Sequence, residues 1–361
     1  MPLIWCSISG HGYGHAAQVI PVLNHISQCV PDTTVLLKTS VPRTFFEPRL
    51  RMPWQLSETV QDIGCVQDGP LDIDVPATWD AHRRFHTEWE SRIEREAAAI
   101  SRARPALVLS DISHMAVAAG TAAGIPTVAL CSLSWDAVLE LYARPGVASE
   151  QVILQHIRRA YAAADCLIRP APGIPVKAFR HVADVGPICE PHTPQSRPLR
   201  AALQIPDDDC LVLVGFGGIS QKQLPFAVLE SMAPFRFIVD ADVPPGLRRV
   251  ISTKDLSWPF HTVLASVEVI MTKPGYGTIV EAVALQKPVV YVRRYHFADE
   301  QPLVDYLHRY GRGAELNREA FAAGKWIDTL TAVRAAPPPQ YPAPPPNGGA
   351  DAASLLLRYL T

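Results

Sequence analysis

Two histidines and one aspartate have the residue types and the spacing for proton transfer. His11 and His15 flank the glycine turn of residues 10–15, and Asp111 ends an apolar run at residues 107–110. A carboxylate bonded to one imidazole nitrogen fixes the tautomer and raises the basicity, so that the other nitrogen can take a proton from a hydroxyl. The pattern therefore predicts a general base. The alternatives are that Asp111 caps the following helix and that His15 is a structural histidine at a helix start.

A second glycine loop has the character of an anion site. Gly275 and Gly277 separate an apolar run at residues 267–271 from a helical pattern that begins at Thr278. Glycines let the backbone approach a phosphate closely, and a helix N-terminus offers unpaired N–H groups and a positive dipole end. The loop is predicted to seat a diphosphate, although a Gly-x-Gly before a helix can also be a tight turn.

Each charged residue beside this loop has two interpretations. Glu281, three residues after Thr278, either closes a capping box or hydrogen-bonds a ligand hydroxyl. Lys273 and Arg293 either offset the charge of a leaving diphosphate or are solvated surface charges, and we favour the first role for Lys273. The sequence pattern contains no metal-ligand set, so we expect a metal-independent site that relies on amides, the helix dipole and cations.

The elements that must position these groups are strands followed by glycine turns. Residues 3–9 form a predicted buried strand that runs into the turn at residues 10–15 and then into an amphipathic helix. The second half restarts with a strand at residues 211–214 and a turn whose Gly217 and Gly218 could approach the diphosphate from the opposite wall. Parallel sheets bind ligands at the C-terminal ends of their strands, so we expect an α/β protein with two Rossmann-like domains facing across a cleft.

Proline and glycine runs divide the chain. We predict a first domain at residues 1–187, a linker at residues 188–198 and a second domain at residues 199–336. A proline-rich stretch at residues 337–348 is interpreted as a stiff tether, or as a docking segment for a partner's aromatic groove. It precedes a C-terminal helix at residues 349–361, and its length allows that helix to return to the first domain.

Hydrophobic periodicity predicts the remaining elements. Residues 43–79 lack a clear period and are expected to be irregular, with one short strand near residues 54–56. The predicted helices cover residues 83–102, 115–123, 149–163, 199–204, 222–232, 303–310 and 318–323.

Composition excludes several classes of partner. Lys and Arg (33 residues) nearly balance Asp and Glu (35 residues), so no strong field attracts nucleic acid or an anionic membrane. Seven cysteines occur singly and without a C-x-x-C pair, which argues against a zinc ribbon or a disulfide framework and indicates a reducing cytoplasm. We expect no secretion signal and no transmembrane segment, whereas peripheral membrane contact through an exposed apolar loop stays open.

The second glycine loop and the residues that follow it resemble a segment of a known family. The run KPGYGTIVEAVALQKPVV, followed by Asp-Glu-Gln at residues 299–301, is similar to the donor-binding segment of GT-B glycosyltransferases. The resemblance implies a loop that holds the diphosphate of a nucleotide sugar, a glutamate on the ribose, and an acid–glutamine pair on the sugar hydroxyls. The resemblance places these roles on Gly275, Gly277, Thr278, Glu281, Glu300 and Gln301. The predicted donor-binding residues also include Gly217, Gly218, Lys273 and Tyr276.

The N-terminal motifs extend the resemblance. The run GHGYGH resembles the turn whose histidine is the base of inverting members, and the aspartate of LVLSD resembles the acid that orients it. That family often places a proline three residues after the histidine, whereas Pro21 lies six residues after His15, which leaves the base open between His15 and His11. The predicted acceptor-binding residues are Gly12, Tyr13 and Gly14 of the first turn, together with Ser134 and Trp135, which follow the strand at residues 126–130 at the same sheet edge. The alternative for Ser134 or Asp136 is a cap on the helix that follows.

Six segments together narrow the resemblance. In chain order they are WCSISGHGYGHAAQVIPVLNHI, LVLSDISH, SLSWD, FGG, TKPGYGTIVEA and NGGADAA, and they resemble the glycosyltransferase-like N-terminal half of plant L-arabinokinases and related bacterial proteins. The sugar kinase half of those proteins has no counterpart in this sequence. Phosphorylation of arabinose is therefore not implied.

These observations predict a glycosyltransferase. A nucleotide-diphosphate sugar, with a UDP-sugar expected, would be the co-substrate without a further cofactor, and an unknown acceptor hydroxyl would receive a hexosyl or related group with inversion. One rival is a sugar-nucleotide epimerase or hydrolase, which needs no acceptor. The other is a non-catalytic scaffold that binds a nucleotide sugar and recruits a partner through the proline-rich stretch.

Overall fold

Two parallel sheets dominate the computed structural model, which describes residues 1–217 and 224–360. The first sheet contains β1 (Leu3–Ile8), β2 (Thr34–Thr39), β3 (Trp54–Glu58), β4 (Leu107–Asp111), β5 (Thr127–Leu130), β6 (Cys166–Pro170) and β7 (Val182–Val185). The second contains β8 (Cys210–Val214), β9 (Phe235–Val239), β10 (Val250–Ser252), β11 (Val269–Thr272), β12 (Pro288–Tyr291) and β13 (Arg312–Glu315).

The strand orders create one crevice in each sheet. The first sheet runs β3-β2-β1-β4-β5-β6-β7 and the second runs β10-β9-β8-β11-β12-β13. The order reverses direction between β1 and β4, and again between β8 and β11. Ligands of open parallel sheets bind beyond the carboxyl ends of the strands at such points. The predicted α/β fold with two Rossmann-like units is therefore confirmed.

Helices cover both faces of the sheets, which is why the central strands are buried along their whole length. The helices associated with the first sheet are α1 (Gly14–Cys29), α2 (Arg43–Phe46), α3 (Val75–Thr87), α4 (Trp89–Ala103), α5 (His114–Ala122), α6 (Trp135–Glu140) and α7 (Ala148–Ala162). Those that follow along the chain are α8 (Ser196–Ala202), α9 (Phe226–Glu230), α10 (Phe260–Ser266), α11 (Tyr276–Ala284), α12 (Glu300–Tyr310), α13 (Arg318–Ala322), α14 (Ile327–Ala335) and α15 (Gly348–Leu357).

Two expectations about local structure need correction. The helix predicted at residues 83–102 is two helices, α3 and α4, which break at Glu88. The stretch at residues 43–79 has the predicted short strand, β3, but it also contains α2 and the start of α3, which is capped by Asp74. Short elements bury few residues and leave no clear period, so they escape a pattern search. Of the helix predicted at residues 222–232, the first two residues lie outside the described residues.

The C-terminal helix α15 packs against α1, on the first sheet rather than on the second. Ala352 and Leu356 are fully buried in the core beneath β1. The approach is close at Gly348, where a Cβ atom would lie 1.9 Å from the carbonyl oxygen of Gly186. The chain therefore passes between the two sheets twice. Within the described ranges, no helix has the length and apolarity required to cross a bilayer.

Candidate functional site

The glycine turn after β1 brings His15 onto the carboxylate of Asp111. His15 lies in the first turn of α1, and its Nδ1 is 3.0 Å from Oδ2 of Asp111. Asp111 is fully buried at the end of β4, directly beside Ile8 in register, and Oδ2 also accepts a hydrogen bond from the Ser9 amide. The predicted pairing of a histidine with an acid at this sheet edge is present.

Asp111 does not cap the helix that follows it. Helix α5 begins at His114, and the side chain of Ser113 accepts the hydrogen bond from the Ala116 amide. The capping alternative for Asp111 is therefore wrong. The carboxylate is free of that task because Ile112, with φ of +63°, separates it from the cap.

The charge of Asp111 dominates the electrostatics of His15. Burial by itself would lower the pKa of His15, but the Asp111 charge and hydrogen bond outweigh it and hold the pKa well above its ordinary value. A proton on Nδ1 satisfies the carboxylate and leaves Nε2 as the nitrogen that exchanges protons. His15 is thus oriented by Asp111 and made more basic, and Cys131 shifts the pKa of His15 in the same direction.

A second buried carboxylate, Asp62, stands behind the same histidines. Its Oδ2 accepts a hydrogen bond from Trp135 Nε1 at 2.8 Å, and its Oδ1 accepts one from the Ser9 hydroxyl at 3.0 Å. Burial raises the pKa of Asp62 to about 6. Sequence reasoning missed this residue, because the loop that carries it has no periodic pattern and no motif.

His11 has a different environment from His15. The amide of Gln67 donates to its Nε2 at 3.1 Å, and the edge of its ring meets Trp135 with centroids 5.3 Å apart. Burial lowers the pKa of His11 to about 3, and the nearby charges of His15, Arg294 and Lys273 act in the same direction. Within the described part of the chain, His15 is the one of these two histidines that has a carboxylate partner.

The predicted acceptor residues divide into exposed and buried ones. Tyr13 is exposed beside Gly12 and Gly14 and stacks on Phe45, with ring centroids 4.9 Å apart. Trp135 is fully buried and forms the wall behind both histidines. Ser134 is also fully buried, and its hydroxyl neither caps α6 nor finds another hydrogen-bond partner. In this structure Ser134 and Trp135 therefore support the histidines from behind.

Lys273 lies on the opposite wall, at the end of β11. Its Nζ donates to the carbonyl of Phe216 at 2.7 Å and lies next to Gly217. The carbonyl of Gly217 in turn lies 3.6 Å from where a Cβ of Gly12 would stand, so the glycine turns of the two sheets meet. Burial lowers the pKa of Lys273 to about 7, assisted by Arg294. Gly218 lies outside the described residues.

Helix α11 begins two residues earlier than predicted. Gly275 is its N-cap, in an extended conformation, and no side chain caps the first amides. The first-turn amides of Tyr276, Gly277 and Thr278 are of the type that helix geometry leaves without an intrahelical partner. The capping-box alternative for Glu281 is wrong, because Thr278 stands inside the helix rather than at its cap.

Three of the predicted donor-binding residues already form hydrogen bonds within the protein. The Tyr276 hydroxyl accepts from the Ile188 amide and donates to the Ala171 carbonyl, and so ties α11 to the first sheet. Both carboxylate oxygens of Glu300 accept from the Arg294 amide, at 2.9 and 3.1 Å, and its Oε1 accepts from the Arg294 side chain. Gln301 is exposed and accepts from Arg293. The buried acid at the cleft is instead Asp299, whose pKa burial raises to about 6.

Glu281 faces residues that the sequence did not single out. Its Oε1 is 3.8 Å from Nδ1 of His192, and among residues 1–217 and 224–360 neither atom has a hydrogen-bond partner. The His192 ring stacks on His261 with centroids 3.6 Å apart, and Arg49, from the first sheet, lies 3.4 Å from His261 Nδ1. Arg49, His192 and His261, from three separate parts of the chain, thus lie together beside Glu281. A single sequence has no pattern from which this proximity could be predicted.

A cavity of about 480 Å³ lies between the domains, next to Arg294. Its walls are mainly apolar and aromatic and come from both halves of the chain. The lining residues are Leu71, Asp72, Ile73, Val75, Leu141, Tyr142, Arg294, Tyr295, His296, Phe297 and Arg318.

Three buried histidines, His82, His86 and His114, and the half-buried His156 cluster behind the first sheet. His86 Nδ1 is 3.2 Å from His156 Nδ1, and His86 Nε2 is 3.3 Å from His114 Nε2. His82, one turn before His86 on α3, contacts the Gly64 carbonyl. Burial lowers the pKa of His82 to about 4 and of His86 to about 3, and it holds the pKa of His114 well below its ordinary value.

This histidine cluster predicts loss of stability in acid. A lowered pKa in the folded state means that the unfolded chain binds more protons below about pH 6.5, so stability falls as the pH drops from there towards about 3. For His86 alone the loss at pH 5 is about 2 kcal/mol. Urea unfolding at pH 7 and pH 5 should show a smaller pH difference in His86→Gln than in the wild type. The exposed His181→Asn variant is the control, and an unchanged pH difference in His86→Gln would contradict the assignment.

Sequence comparisons match this chain to part of a longer protein. No protein-family model matches the chain. L-arabinokinase from Arabidopsis thaliana is 28% identical over 331 residues, which are 90% of this chain but 31% of that protein. The chain therefore spans less than a third of that relative.

Solved glycosyltransferase structures superpose along the whole chain. They include the kitacinnamycin glycotransferase (TM-score 0.61, 16% identity, covering 99% of this chain and 95% of that one). Arabidopsis thaliana UGT89C1 in complex with UDP gives a TM-score of 0.61 at 14% identity, covering 100% and 94%. Phytolacca americana UGT2 with UDP-2fluoro-glucose and pterostilbene gives 0.60 at 15% identity, covering 99% and 94%. The chain has the GT-B fold.

Proposed function

We propose that this GT-B protein transfers a sugar from a nucleotide-diphosphate sugar to an acceptor hydroxyl. The observation that carries the proposal is the pairing of His15 with a fully buried Asp111, across a cleft from Lys273 and the N-terminus of α11. One wall holds a base, and the other holds amides and a cation suited to a diphosphate. Transfer between the walls needs both.

The reaction follows from these positions as a single displacement. His15 takes the proton of the acceptor hydroxyl at Nε2, and the resulting imidazolium is stabilised by Asp111. The acceptor oxygen attacks the anomeric carbon while the bond from that carbon to the diphosphate oxygen breaks. The diphosphate leaves with the electron pair towards Lys273 and the α11 amides. One displacement inverts the anomeric configuration and needs no metal ion.

The second glycine turn and the residues around Glu281 support a donor site on the second domain. Gly217, Gly275, Gly277 and Thr278 would hold the diphosphate, and Glu281 would take a ribose hydroxyl. The unpartnered Oε1 of Glu281 supports this role, because a buried acceptor without a partner is costly until a ligand donates to it. For the sugar we assign Asp299 and Gln301, since Glu300 accepts three hydrogen bonds from Arg294 whereas Asp299 has one longer contact with that arginine, at 3.5 Å.

The ligands of two structurally similar proteins support a uridine nucleotide in the donor, but they do not identify the acceptor. UDP is bound by Arabidopsis thaliana UGT89C1, and UDP-2fluoro-glucose and pterostilbene by Phytolacca americana UGT2. We propose a UDP-sugar donor and an acceptor small enough to enter the cleft at His15. We do not propose arabinose phosphorylation, since the match covers 31% of the L-arabinokinase chain. All seven cysteines are unpaired, which supports a reducing compartment such as the cytoplasm.

A donor screen tests the proposal first. The melting temperature should rise with one nucleotide diphosphate in a panel of UDP, GDP, dTDP, CMP and their sugars, because a ligand that binds the folded state stabilises it by mass action. Product analysis with the selected donor follows, with and without candidate acceptors. Conversion of the donor alone would favour an epimerase or hydrolase. Binding without turnover in any acceptor screen, together with a captured partner, would favour a scaffold, and no shift with any nucleotide would overturn the donor site.

A further inference from the structure

A cysteine thiol completes a set of metal ligands around the His15–Asp111 pair. Within residues 1–217 and 224–360, one group of three mutually close His, Cys, Asp or Glu side chains is present, and it consists of His15, Asp111 and Cys131. One nitrogen, one carboxylate oxygen and one sulfur of these residues lie within 4.8 Å of one another. Cys131 follows β5, so three different strand ends supply the three ligands.

We propose that His15, Asp111 and Cys131 form a binding site for Zn²⁺, and that the ion holds the protein in an inactive state. Bonds of about 2.0 Å to nitrogen and oxygen and about 2.3 Å to sulfur place the ligands of a tetrahedral ion roughly 3.3 to 3.5 Å apart. The nitrogen and oxygen already lie 3.0 Å apart. Since the three ligand atoms lie within 4.8 Å of one another, the sulfur needs a shift of at most about 1.3 Å, which a rotation of the Cys131 side chain can supply.

The donor set selects the kind of ion. Mg²⁺ and Ca²⁺ prefer oxygen ligands, whereas a thiolate with an imidazole and one carboxylate suits Zn²⁺. Thiolate and carboxylate together carry two negative charges, so the ion makes this buried site electrically neutral. Three protein ligands leave the fourth position for a water molecule from the cleft, to which the partly exposed side chain of His15 opens.

Zinc binding displaces a proton from Cys131 and a proton from Nδ1 of His15. The Cys131 thiol loses its proton to solvent as the sulfur–zinc bond forms. His15 gives up its Nδ1 proton as Nδ1 becomes a ligand, to solvent from the imidazolium or to Nε2 from the neutral ring, and the hydrogen bond to Asp111 is replaced by a shared ion. Nε2 then carries the proton and cannot accept another from a hydroxyl. Inhibition rests on the proposed function, whereas binding does not.

Binding is tested with Zn²⁺ alone, by competition with a chromophoric chelator. The wild type should bind one ion with a dissociation constant of roughly micromolar or tighter. Cys131→Ala and Cys131→Ser should each bind at least about 100-fold more weakly, since loss of a ligand costs no less than loss of an outer partner. Cys166→Ser is the matched control, because Cys166 is also buried at a strand of the first sheet but far from the trio. Equal affinity in the wild type and both Cys131 variants would overturn the site.

A spectroscopic readout separates coordination from a structural effect. Co²⁺ bound through a thiolate gives a sulfur-to-metal charge-transfer band in the near ultraviolet, which should be present in the wild type and Cys166→Ser and absent in Cys131→Ser. A band that persists in Cys131→Ser would refute the ligand assignment. If the protein turns over a nucleotide sugar, Zn²⁺ should lower the rate in the wild type and not in Cys131→Ser. Unchanged turnover with zinc bound would overturn the inhibitory role, and a lack of any turnover would count against the proposed function alone.

Discussion

Replacing Asp111 with asparagine is expected to lower kcat roughly 10³- to 10⁴-fold while donor affinity stays nearly unchanged. Asparagine keeps the shape but can present its amide N–H groups to Nδ1 of His15, which moves the imidazole proton to Nε2. That nitrogen then has no lone pair for the acceptor proton. His15→Ala should be at least as severe, because it removes the base itself.

The pH profile of Asp111→Asn distinguishes a role in proton transfer from a loss of structure. The active form of His15 is neutral, and Asp111 holds the pKa of His15 well above its ordinary value. In the wild type kcat/KM should therefore fall as the pH drops through that raised pKa, and in Asp111→Asn the same fall should occur at lower pH. Asp184→Asn, at the exposed edge strand of the same sheet, is the control. Wild-type rates in Asp111→Asn would remove His15 and Asp111 from the mechanism.

Replacing Lys273 with methionine is the second large effect we expect. The Lys273 ammonium is buried against Phe216 at the predicted diphosphate seat. A hydrogen bond from a charged group contributes about 1.5 to 3 kcal/mol, so the affinity for UDP-glucose, or for the donor selected in the screen, should fall about 10- to 100-fold. Calorimetry of the folded variant measures this directly.

Lys273 should also set a pH dependence of donor binding. Burial lowers the pKa of Lys273 to about 7, because it disfavours the charged form of the ammonium. A diphosphate favours the charged form, so binding above about pH 7 takes up a proton and becomes weaker as the pH rises. Lys273→Met should lose that dependence. Lys287→Met is a control on the far side of α11, where the ammonium contacts the Val267 carbonyl. Identical titrations of the wild type and Lys273→Met would rule out a role for this lysine at the phosphates.

The sequence was informative wherever strand, turn and helix follow one another directly. The stretches around His15 and Gly275 each carry a buried strand, glycines and an apolar helix face, and from these the parallel α/β architecture could be predicted. The same logic placed Asp111 at the edge that it shares with His15, because register in a parallel sheet aligns strand ends.

The parts of the site that escaped prediction are brought together by tertiary packing. Asp62 lies on an aperiodic loop, and it becomes relevant only because Trp135, more than seventy residues later, donates to it. Arg49 and His192 meet at His261 from three separate regions. The capping-box interpretation of Glu281 failed for a local reason. A threonine three residues before a glutamate matches a capping box, but the helix had already begun at Tyr276.

The position of α15 has a consequence for the order in which the protein can be made. Ala352 and Leu356 complete the core under β1, yet they are synthesised only after every strand of the second sheet. Until then the apolar face of α1 that packs against α15 stays uncovered, while the segment from α8 to α14 can already fold. A chain truncated after residue 336 should therefore have a folded second half and an incompletely packed first half.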